Sequence, residues 1–592
     1  MSGSASPGAT SGRAALALTL LGALALACAL AAPRVGTVWR TGAFFDPDDA
    51  LRAVELRDFL AGQGWFDVTA TRLDPPSGLP MHWSRIVDVA LAALRAPFLS
   101  VFAPDQAERA MRLAFPLALL AMLLALSGWV AACPGGARTR LLAIWLVTLS
   151  GPMFGQFAPG RIDHHAPQIV TLMAAFGCLS QGLNPARAAW LAACAALMAL
   201  SMGISLENLP FFAPMAGALA WLFLADGARA PLAWFAAGAL LAFPLVFAAT
   251  VAPAAWAVAA CDANSAPWLA AIVTAALGLV ALALAAPRLT RMRGRAIGVG
   301  ATIAASLAVF AGLAPRCLGG PFADLDPLLR ELWLAHVTEV MPLSQLAARS
   351  PAEAAVLAAP VTLGLVAALW RAHASAGLQR RRFGLAAATI AIGLCAGALH
   401  IRVLSSVTPL AMVALAEAIA FLSGGLRASP ALRNACAGAL AFFLSPIGLA
   451  LTLAGDGRDA RKGDAACLTP EALAPLAAQP EGRVLGPFSL GSYILAHTPH
   501  AAFAAPYHRN NHGNLVAANV FLAAPEQAEA LARRAGATLI VWCARGAEPS
   551  PLATAAPAGL AATLARGETP PWLERRSTAD VPLLVFAVRS VE

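Results

Sequence analysis

Three carboxylates and an arginine stand close together near the start of the chain. Asp46, Asp48 and Asp49 fall within four residues, and Arg52 follows them. Carboxylate oxygens are hard ligands that suit Mg²⁺ or Mn²⁺. A solvated loop, with an aspartate as the N-cap of the helix that follows, explains the same residues. Because the stretch follows directly on a long apolar segment, we expect it just outside a membrane, where carboxylates must be solvated, paired or bound to metal.

A second group of metal-ligating residue types is Asp163, His164 and His165, in a very short segment between two apolar runs. Asp163 and His165 are spaced to reach one ion from the start of a helix, and both residue types bind divalent metals. The alternative is an aspartate N-cap beside interfacial histidines. Two such groups on one face of a membrane favour an ion that they share.

Three single charged residues are predicted on that same face. Glu339 is bordered by apolar residues, which raise the pKa of a carboxyl group and make it useful in a site; a solvent-facing glutamate at a helix end is the alternative. Arg402 stands in a very short loop and could bind phosphate with its planar fork, or extend to the interface as a snorkelling side chain. We interpret Glu207 as a solvated carboxylate.

The elements that must position these residues are membrane helices. Of the 592 residues, 59% are hydrophobic and 12% are charged, a composition far more apolar than that of a soluble domain. A helix needs about 20 residues to cross a bilayer, and thirteen apolar segments are long enough. They lie near 14–32, 111–132, 139–157, 165–182, 187–203, 209–225, 231–251, 267–286, 296–313, 352–370, 383–399, 403–423 and 434–454. The first resembles a signal peptide, but we interpret it as a retained span because similar Leu/Ala runs recur.

The arginines between these segments indicate which way the loops face. Alternate loops carry nearly all of them, whereas the short loops of the other set carry only Arg161 and Arg402. The arginine-rich set is expected in the cytoplasm. The net charge of +9 therefore reflects membrane topology, and no nucleic-acid partner is indicated. We expect a multi-pass protein of a bacterial inner membrane, with the other loops outside.

Three large pieces of chain fall on the predicted outer face: residues 33–110, residues 314–350 and everything beyond about residue 455. We predict a transmembrane domain over 1–454 and a periplasmic domain over 455–592. The second is expected to be a small α/β domain, because β-like runs alternate with a helical pattern. The runs lie at Arg483–Leu485, Ala501–Ala504, Thr538–Trp542 and Leu583–Val588, and the helical pattern lies near Pro525–Ala535.

The ten cysteines contain no Cys-x-x-Cys pair, and most lie in apolar runs, where they pack as small hydrophobic side chains. Four fall on the outer face. Disulfides between Cys261 and Cys317 and between Cys467 and Cys543 are possible there.

In their order and on these faces, the motifs resemble those of the catalytic subunit of oligosaccharyltransferases, within the type-C membrane glycosyltransferases (GT-C). Phe45-Asp46-Pro47 with Arg52 is similar to the first acidic motif of that family, and Asp163-His164-His165 is similar to its second, DxD or DxH, motif. Thr338-Glu339 stands where the family has a flexible outer loop with a Ser/Thr-x-x-Glu-like element. Arg402 stands where the family has an arginine that contacts the lipid-linked phosphate. The resemblance extends to about residue 454.

The resemblance implies a polytopic α-helical GT-C-like fold with about thirteen transmembrane helices, and a metal-dependent transfer from a polyprenyl-phosphate or -diphosphate sugar donor. Mg²⁺ or Mn²⁺ would be held by Asp46, Asp163 and His165, and Arg402 would bind the donor phosphate. Asp46 or Glu339 would hold or remove the acceptor's proton, while a mobile 314–350 loop closes over the site. Further candidates for the site are Asp48, Asp49, Arg52, His164, His508 and Arg509.

One family motif is missing. The acceptor-reading sequence Trp-Trp-Asp-Tyr-Gly is expected after the last span, but the comparable stretch 486–493 contains neither tryptophan nor aspartate. The chain therefore resembles a relative that glycosylates an acceptor other than the Asn-x-Ser/Thr sequon: a protein, a lipid or a polysaccharide. The polar cluster 506–514, which includes His508 and Arg509, could face that acceptor or form a surface loop.

Two other functions are open. A transporter or flippase of lipid-linked saccharide would need ionisable residues in mid-span, and the predicted spans are nearly free of them, which favours chemistry at one face. A non-catalytic relative that acts in polysaccharide assembly would keep the fold without the metal. A divalent-metal binding measurement separates that relative from an enzyme.

Overall fold

A computed structural model describes residues 7–150, 155–453, 466–543, 549–578 and 581–590. Up to residue 453 the chain is almost entirely helical, as its apolar segments predict, because only hydrogen-bonded backbone is tolerated in lipid. The helices are α1 (Pro7–Thr41), α2 (Pro47–Leu60), α3 (Ile86–Arg95), α4 (Pro104–Thr148), α5 (His165–Gly182), α6 (Trp190–Ile204), α7 (Leu209–Asp226), α8 (Arg229–Thr250), α9 (Ala266–Ala285), α10 (Met292–Leu313), α11 (Pro327–Leu332), α12 (Leu343–Arg349), α13 (Pro351–Ala374), α14 (Gly377–Leu399), α15 (Arg402–Gly424), α16 (Pro430–Phe443) and α17 (Pro446–Leu453).

Nine helices among the described residues are long and apolar enough to cross a membrane, or ten if α16 and α17, bent by 65°, form one span. The other three of the thirteen predicted segments also contain helix. One continues α4 beyond a break at Gly136, which has a φ of 76°, and the other two form α5 and the shorter α6. The protein is therefore a multi-pass membrane protein. Among these spans α15 is the most enclosed, so the bundle fixes the helix that begins with Arg402.

The C-terminal part folds as the predicted α/β domain. Its helices are α18 (Pro470–Ala477), α19 (Gly491–His497), α20 (Asn511–Leu522), α21 (Pro525–Ala535), α22 (Pro549–Ala555) and α23 (Leu560–Ala565). A hairpin-like pair, β1 (Thr69–Ala70) and β2 (Leu79–Pro80), lies earlier in the chain. The domain's strands are β3 (Arg483–Leu485), β4 (Ala501–Ala502), β5 (Leu539–Cys543), β6 (Leu573–Arg575) and β7 (Leu583–Val588).

These five strands form one mixed sheet in the order β4-β3-β5-β7-β6. β3 pairs in parallel with β4 and β5, whereas β7 pairs antiparallel with β5 and β6. All five residues of β5 are buried, as expected for a central strand that is covered on both faces. The four predicted strands are confirmed in place, and β6 is an additional edge strand with one exposed residue.

One apolar core joins the chain after α1 to the C-terminal domain. Leu51 and Val54 of α2 belong to the same buried cluster as Tyr493 and Leu495 of α19 and Val541 of β5. The acidic stretch at the start of α2 is therefore held against the C-terminal domain. We call the side of the helix bundle that carries this domain the domain face.

The 314–350 loop is anchored to this face at its start. Leu329 and Trp333 pack in one cluster with Phe488 and Phe521 of the C-terminal domain. The side chain of Asn511 also accepts a hydrogen bond from the backbone N–H of Asp326, at 3.0 Å.

Both possible disulfides are present. Cys261–Cys317 ties the 314–350 loop to the segment between α8 and α9, with the two Cα atoms 5.0 Å apart. Cys467–Cys543 lies within the C-terminal domain, with a Cα–Cα distance of 6.0 Å. The two crosslinks therefore fix the loop and the domain that flank the candidate site.

Candidate active site

Asp46 is the N-cap residue of α2, at the end of the short segment that follows α1. Its Oδ1 atom accepts a hydrogen bond from the backbone N–H of Asp48 at 2.9 Å, which caps α2. Its Oδ2 atom lies 2.5 Å from Nη1 of Arg161. The helix-cap interpretation is thus confirmed, and the second carboxylate oxygen pairs with Arg161, beside the second motif.

Arg161 joins the two acidic motifs. Its guanidinium is also paired with Asp163, and its Nε atom lies 3.6 Å from Oδ2 of Asp49. Asp49 strengthens the junction, because its Oδ1 atom accepts hydrogen bonds from the backbone N–H groups of Ile162, at 2.7 Å, and Asp163, at 3.2 Å. Burial raises the pKa of Asp49 to about 7, although Arg161 opposes the shift.

His165 stands across from these aspartates at the first position of α5. Its Nδ1 atom contacts Oε2 of Glu207 at 2.9 Å. Its Nε2 atom is buried and has no hydrogen-bond partner among the described residues. That nitrogen lies 3.9 Å from Oδ2 of Asp163 and 4.0 Å from Oδ2 of Asp48. A buried ring nitrogen of His165 without a hydrogen-bond partner among the described residues therefore faces two carboxylate oxygens.

The distances suit a divalent cation. Metal–oxygen and metal–nitrogen bonds of about 2.0–2.2 Å let one ion bridge ligand atoms that are about 4 Å apart. Two overlapping sets have all ligand atoms within 4.8 Å of one another: Asp46, Asp48 and Asp163, and Asp48, His164 and His165. Asp48 is common to both sets. No local pattern ranks Asp48 above its neighbours, and the predicted trio of Asp46, Asp163 and His165 is divided between the sets.

The electrostatics also favour a cation. The carboxylates of Asp46, Asp49 and Asp163 all pair with one guanidinium, that of Arg161. Burial and the neighbouring Asp46 raise the pKa of Asp48 well above its ordinary value, because the cluster carries more negative charge than its arginine neutralises. A divalent ion would relieve that excess, so the residues present fit a metal.

Arg402 is connected to this cluster through one residue, Glu207. Its Nη2 atom lies 2.9 Å from Oε1 of Glu207, and its Nη1 atom lies 3.5 Å from Oε2 of Glu339. The 314–350 loop reaches this helix start through a hydrogen bond from the Ile401 N–H to the Met341 carbonyl, at 3.2 Å. The structure thus brings together Arg402, Glu339 and, through Glu207, His165.

The interpretation of Glu207 as a solvated carboxylate is wrong. Its side chain is 18% exposed and contacts His164, at 3.4 Å, as well as His165 and Arg402. Although burial disfavours the charge, Arg402 and the histidines hold the pKa of Glu207 well below its usual range. The partners come from two distant parts of the sequence, so no local pattern around residue 207 could have revealed them.

Arg52 does not face the metal-ligating cluster. It is buried, pairs with Asp88 at 3.0 Å and Glu55 at 3.4 Å, and stacks over the ring of Trp83 at 4.4 Å. Its contacts tie α2 to α3. We therefore infer that Arg52 stabilises the position of α2 beside the site.

His508 and Arg509 lie at a second polar contact. Both bind Asp262, in the segment between α8 and α9, with distances of 2.7 Å from His508 Nε2 and 2.6 Å from Arg509 Nε. The ring of His82 lies between the two regions, 5.1 Å from the ring of His508 and 6.5 Å from that of His164. Arg509 and His508 hold the pKa of Asp262 well below its usual range against the opposing effect of burial. The pair clamps the C-terminal domain to the helix bundle.

The stretch that replaces the acceptor motif also reaches the site. Ser492 contacts the hydroxyl of Tyr507 at 3.1 Å, and that hydroxyl donates a hydrogen bond to the carbonyl of Pro47 at 3.0 Å. The first turn of α2 is thereby fixed by a tyrosine of the C-terminal domain. The chain has only two tyrosines, and both are buried in the core that holds α2.

Comparison with known proteins identifies the fold. The sequence matches no protein-family model and no curated protein. The structure matches the apo form of the oligosaccharyltransferase of Archaeoglobus fulgidus with a TM-score of 0.65 and 15% identity, over 96% of this chain and 75% of that one. The same organism's oligosaccharyltransferase AglB, solved with an inhibitory peptide and a dolichol-phosphate, matches with a TM-score of 0.63 and 15% identity, over 95% and 75%.

A third match is the Archaeoglobus fulgidus oligosaccharyltransferase in complex with Zn and sulfate, with a TM-score of 0.59 and 15% identity, over 96% of this chain and 73% of that one. Identity at this level is evidence of shared architecture. The resemblance predicted from the motifs is therefore confirmed at the level of fold: the chain has the GT-C-type architecture of an oligosaccharyltransferase.

Proposed function

We propose that this protein is a metal-dependent membrane glycosyltransferase. It moves a sugar or oligosaccharide from a polyprenyl-phosphate or -diphosphate donor to an acceptor at the domain face. The observation that carries the proposal is the buried Nε2 of His165, which has no hydrogen-bond partner among the described residues and faces oxygens of Asp48 and Asp163. Arg402 is connected to the same histidine through the carboxylate of Glu207. A dolichol-phosphate in one structure of the same fold, and Zn with sulfate in another, support a lipid-linked phosphate and a divalent ion as ligands.

Asp46, Asp163 and His165 would hold the ion, Mg²⁺ or Mn²⁺, and Asp48 stands within reach as a further ligand. Bound there, the ion would act as a Lewis acid that neutralises charge on the leaving phosphate. Arg402 binds the same phosphate. Its weaker partner, Glu339 at 3.5 Å, is the one that a phosphate can replace, because Glu207 is held more closely at 2.9 Å.

Glu339 and Asp46 are the candidates for the acceptor's proton. The Glu339 side chain is 41% exposed, and that of Asp46 is 21% exposed, so both can be reached from outside the cluster. A carboxylate released from Arg402 by the incoming phosphate would be free to accept a proton from the acceptor. The two steps are thereby linked through one arginine.

The 314–350 loop closes over the donor by a small movement. Its first part is held by the disulfide at Cys317 and by the packing of Trp333, and its last part by the contact of Met341 with Ile401. The segment that can move is therefore the short one between Trp333 and Met341, which carries Glu339.

We propose a bacterial inner membrane with the C-terminal domain in the periplasm, because the arginine-rich loops of the predicted topology are expected in the cytoplasm, opposite that domain. The acceptor is a protein, lipid or polysaccharide that is read by something other than the missing Trp-Trp-Asp-Tyr-Gly motif. The stretch 486–493 at the place of that motif is buried except for the half-buried Ser489, and it supports α2 through the contact of Ser492 with Tyr507.

The proposal is tested in a deletion strain that is complemented with wild-type protein or with the double variant Asp46→Ala/Asp163→Ala. Mass analysis of lipid-linked sugars and of glycans is the measurement. The donor should accumulate and one glycan class should disappear in the double variant, as in the deletion strain. Unchanged sugar transfer by the double variant in reconstituted membranes would rule the mechanism out. A Glu529→Gln variant, which breaks only a surface pair with Arg533, is the matched control.

A further inference from the structure

The turn that carries Glu207 is built rigidly onto the helix that carries His165. Asn208 is 1% exposed, and its Nδ2 atom donates to the carbonyl of Gln168 at 2.9 Å and to the hydroxyl of Ser201 at 2.8 Å. Gln168 in turn donates to the carbonyls of Ser201, at 2.7 Å, and Ser205, at 3.0 Å. Because His165 lies one turn before Gln168 on α5, the glutamate and the histidine share one scaffold.

This scaffold aims the two oxygens of Glu207 at different partners. Oε2 contacts His165 Nδ1 at 2.9 Å, and Oε1 contacts Arg402 Nη2 at 2.9 Å. A carboxylate beside one ring nitrogen fixes the histidine tautomer that leaves the other nitrogen as a lone pair for a metal. The same carboxylate holds one arm of an arginine fork.

We infer that Glu207 is the positioning residue that joins the metal ligand His165 to the phosphate-binding residue Arg402. It touches neither the ion nor the donor. It orients Nε2 of His165 toward Asp48 and Asp163 and holds one arm of the Arg402 guanidinium. The inference rests on the proposed function, and it adds that one side chain sets both the metal affinity and the donor affinity.

A role for Glu207 in the stability of the fold alone would explain fewer of these contacts. The turn is already fixed by Asn208, so Glu207 is not needed to anchor it. Glu207 is also not needed to hold the helix of Arg402 in the bundle. Arg402 lies at the start of α15, and most residues of α15 are buried by their own packing. What Glu207 alone supplies is the link between a histidine and an arginine that both face the ligand cluster.

The first test measures Mn²⁺ binding by the purified full-length protein without any sugar donor. Loss of an outer-shell partner of a metal ligand typically weakens metal binding by about 10–100-fold, and Glu207→Gln should do so. Glu207→Asp should restore part of the affinity. Glu529→Gln, which removes a surface carboxylate paired with Arg533, should leave Mn²⁺ affinity unchanged. Melting temperatures show whether each variant is folded.

The second test is a double-mutant cycle for the same Mn²⁺ affinity. If Glu207 acts through His165, the effect of Glu207→Gln should vanish in a His165→Ala background. In transfer assays with the natural membrane donor, Glu207→Gln should also raise KM for the donor, and this effect should vanish in an Arg402→Ala background.

The outcomes separate this inference from the proposed function. A wild-type protein that binds no Mn²⁺ overturns both. Mn²⁺ binding that is within twofold of wild type in a folded Glu207→Gln variant overturns the inference and leaves the glycosyltransferase proposal standing. Full Glu207 dependence of Mn²⁺ binding, in a protein that transfers no sugar, upholds the positioning role toward the metal and overturns the transferase.

Discussion

Nη1 of Arg161 lies 2.5 Å from Oδ2 of Asp46, although the two residues belong to motifs that are separated by three helices. The contact places a fixed positive charge inside the carboxylate cluster. Arg161 therefore does part of the work expected of a metal ion: it neutralises aspartates that would otherwise repel one another. It can do so only in part, because one guanidinium faces several carboxylates.

Replacing Arg161 should make the protein depend on metal for its stability. Removal of one partner of a buried ion pair typically costs about 3–5 kcal/mol, and Arg161→Gln should cost the lower part of that range because Asp46 is partly exposed. Added Mn²⁺ should then raise the melting temperature of the variant more than that of wild type, since an ion that binds only the folded state stabilises it. Differential scanning calorimetry with and without Mn²⁺ gives both quantities.

The control for this measurement is Arg533→Gln, which removes a surface arginine paired with Glu529. It should change neither the melting temperature nor the increment from Mn²⁺ appreciably, because exposed pairs contribute little. An increment from Mn²⁺ that is equal or smaller in Arg161→Gln than in wild type would contradict the shared role.

Some residues of the candidate site can be predicted from the sequence and others cannot, for a physical reason. Asp46, Asp163 and His165 were predicted because their types and local spacing carry information and because loop charge assigns them to one face. Arg161 and Glu207 were not recognised as site residues, since their meaning depends on partners from distant segments. A signal did exist for Arg161: it is one of two arginines in the short loops on the acidic face.

The fold, too, was predictable where a local sequence pattern reports it. Apolar length predicted the helices and short β-like runs predicted four strands, because each pattern reports a local burial requirement. Arg52 shows the limit of this reasoning. It stands beside the aspartates in sequence, yet on α2 it turns toward Asp88 and Trp83, and only the helix geometry separates it from the cluster.

The buried network around Arg52 gives a pH prediction. Burial raises the pKa of Glu55 to about 8, from an ordinary value of 4.5, and Arg52 offsets the shift only in part. The folded protein thus binds this proton more tightly than the unfolded chain. The free energy of unfolding should therefore fall as pH rises from about 4.5 to about 8. Glu55→Gln should remove this contribution and flatten the profile.

Denaturation profiles of wild type and Glu55→Gln at pH 5 to 8 check this expectation. The difference in stability between the two proteins should shift in favour of the variant as pH rises. Equal slopes in the two proteins would show that Glu55 is ionised throughout. Metal affinity should be the same in both, because Glu55 faces Arg52 and lies outside the ligand sets.

The anchored start of the 314–350 loop leads to a prediction about the disulfide. Cys261–Cys317 crosslinks residues that are 56 positions apart, so its removal should destabilise the protein by about 2–5 kcal/mol. The double variant Cys261→Ser/Cys317→Ser should also be cleaved faster by protease within 314–350. Mn²⁺ binding at the cluster of Asp46, Asp48, Asp163, His164 and His165 should not change, because none of these candidate ligands belongs to either segment. Unchanged cleavage would mean that the packing of Trp333 is sufficient to hold the loop.

The two adjacent histidines should differ as metal ligands. Each has a buried ring nitrogen without a hydrogen-bond partner among the described residues. His165 Nε2, however, faces oxygens of both Asp48 and Asp163, whereas the candidate set that includes His164 contains Asp48 as its only carboxylate. His165→Ala should therefore reduce Mn²⁺ affinity by at least tenfold more than His164→Ala. Isothermal titration of both variants decides the point, with melting temperatures to confirm folding. Equal losses would place the ion between the two rings, and a larger loss for His164→Ala would exclude the ligand set built on His165.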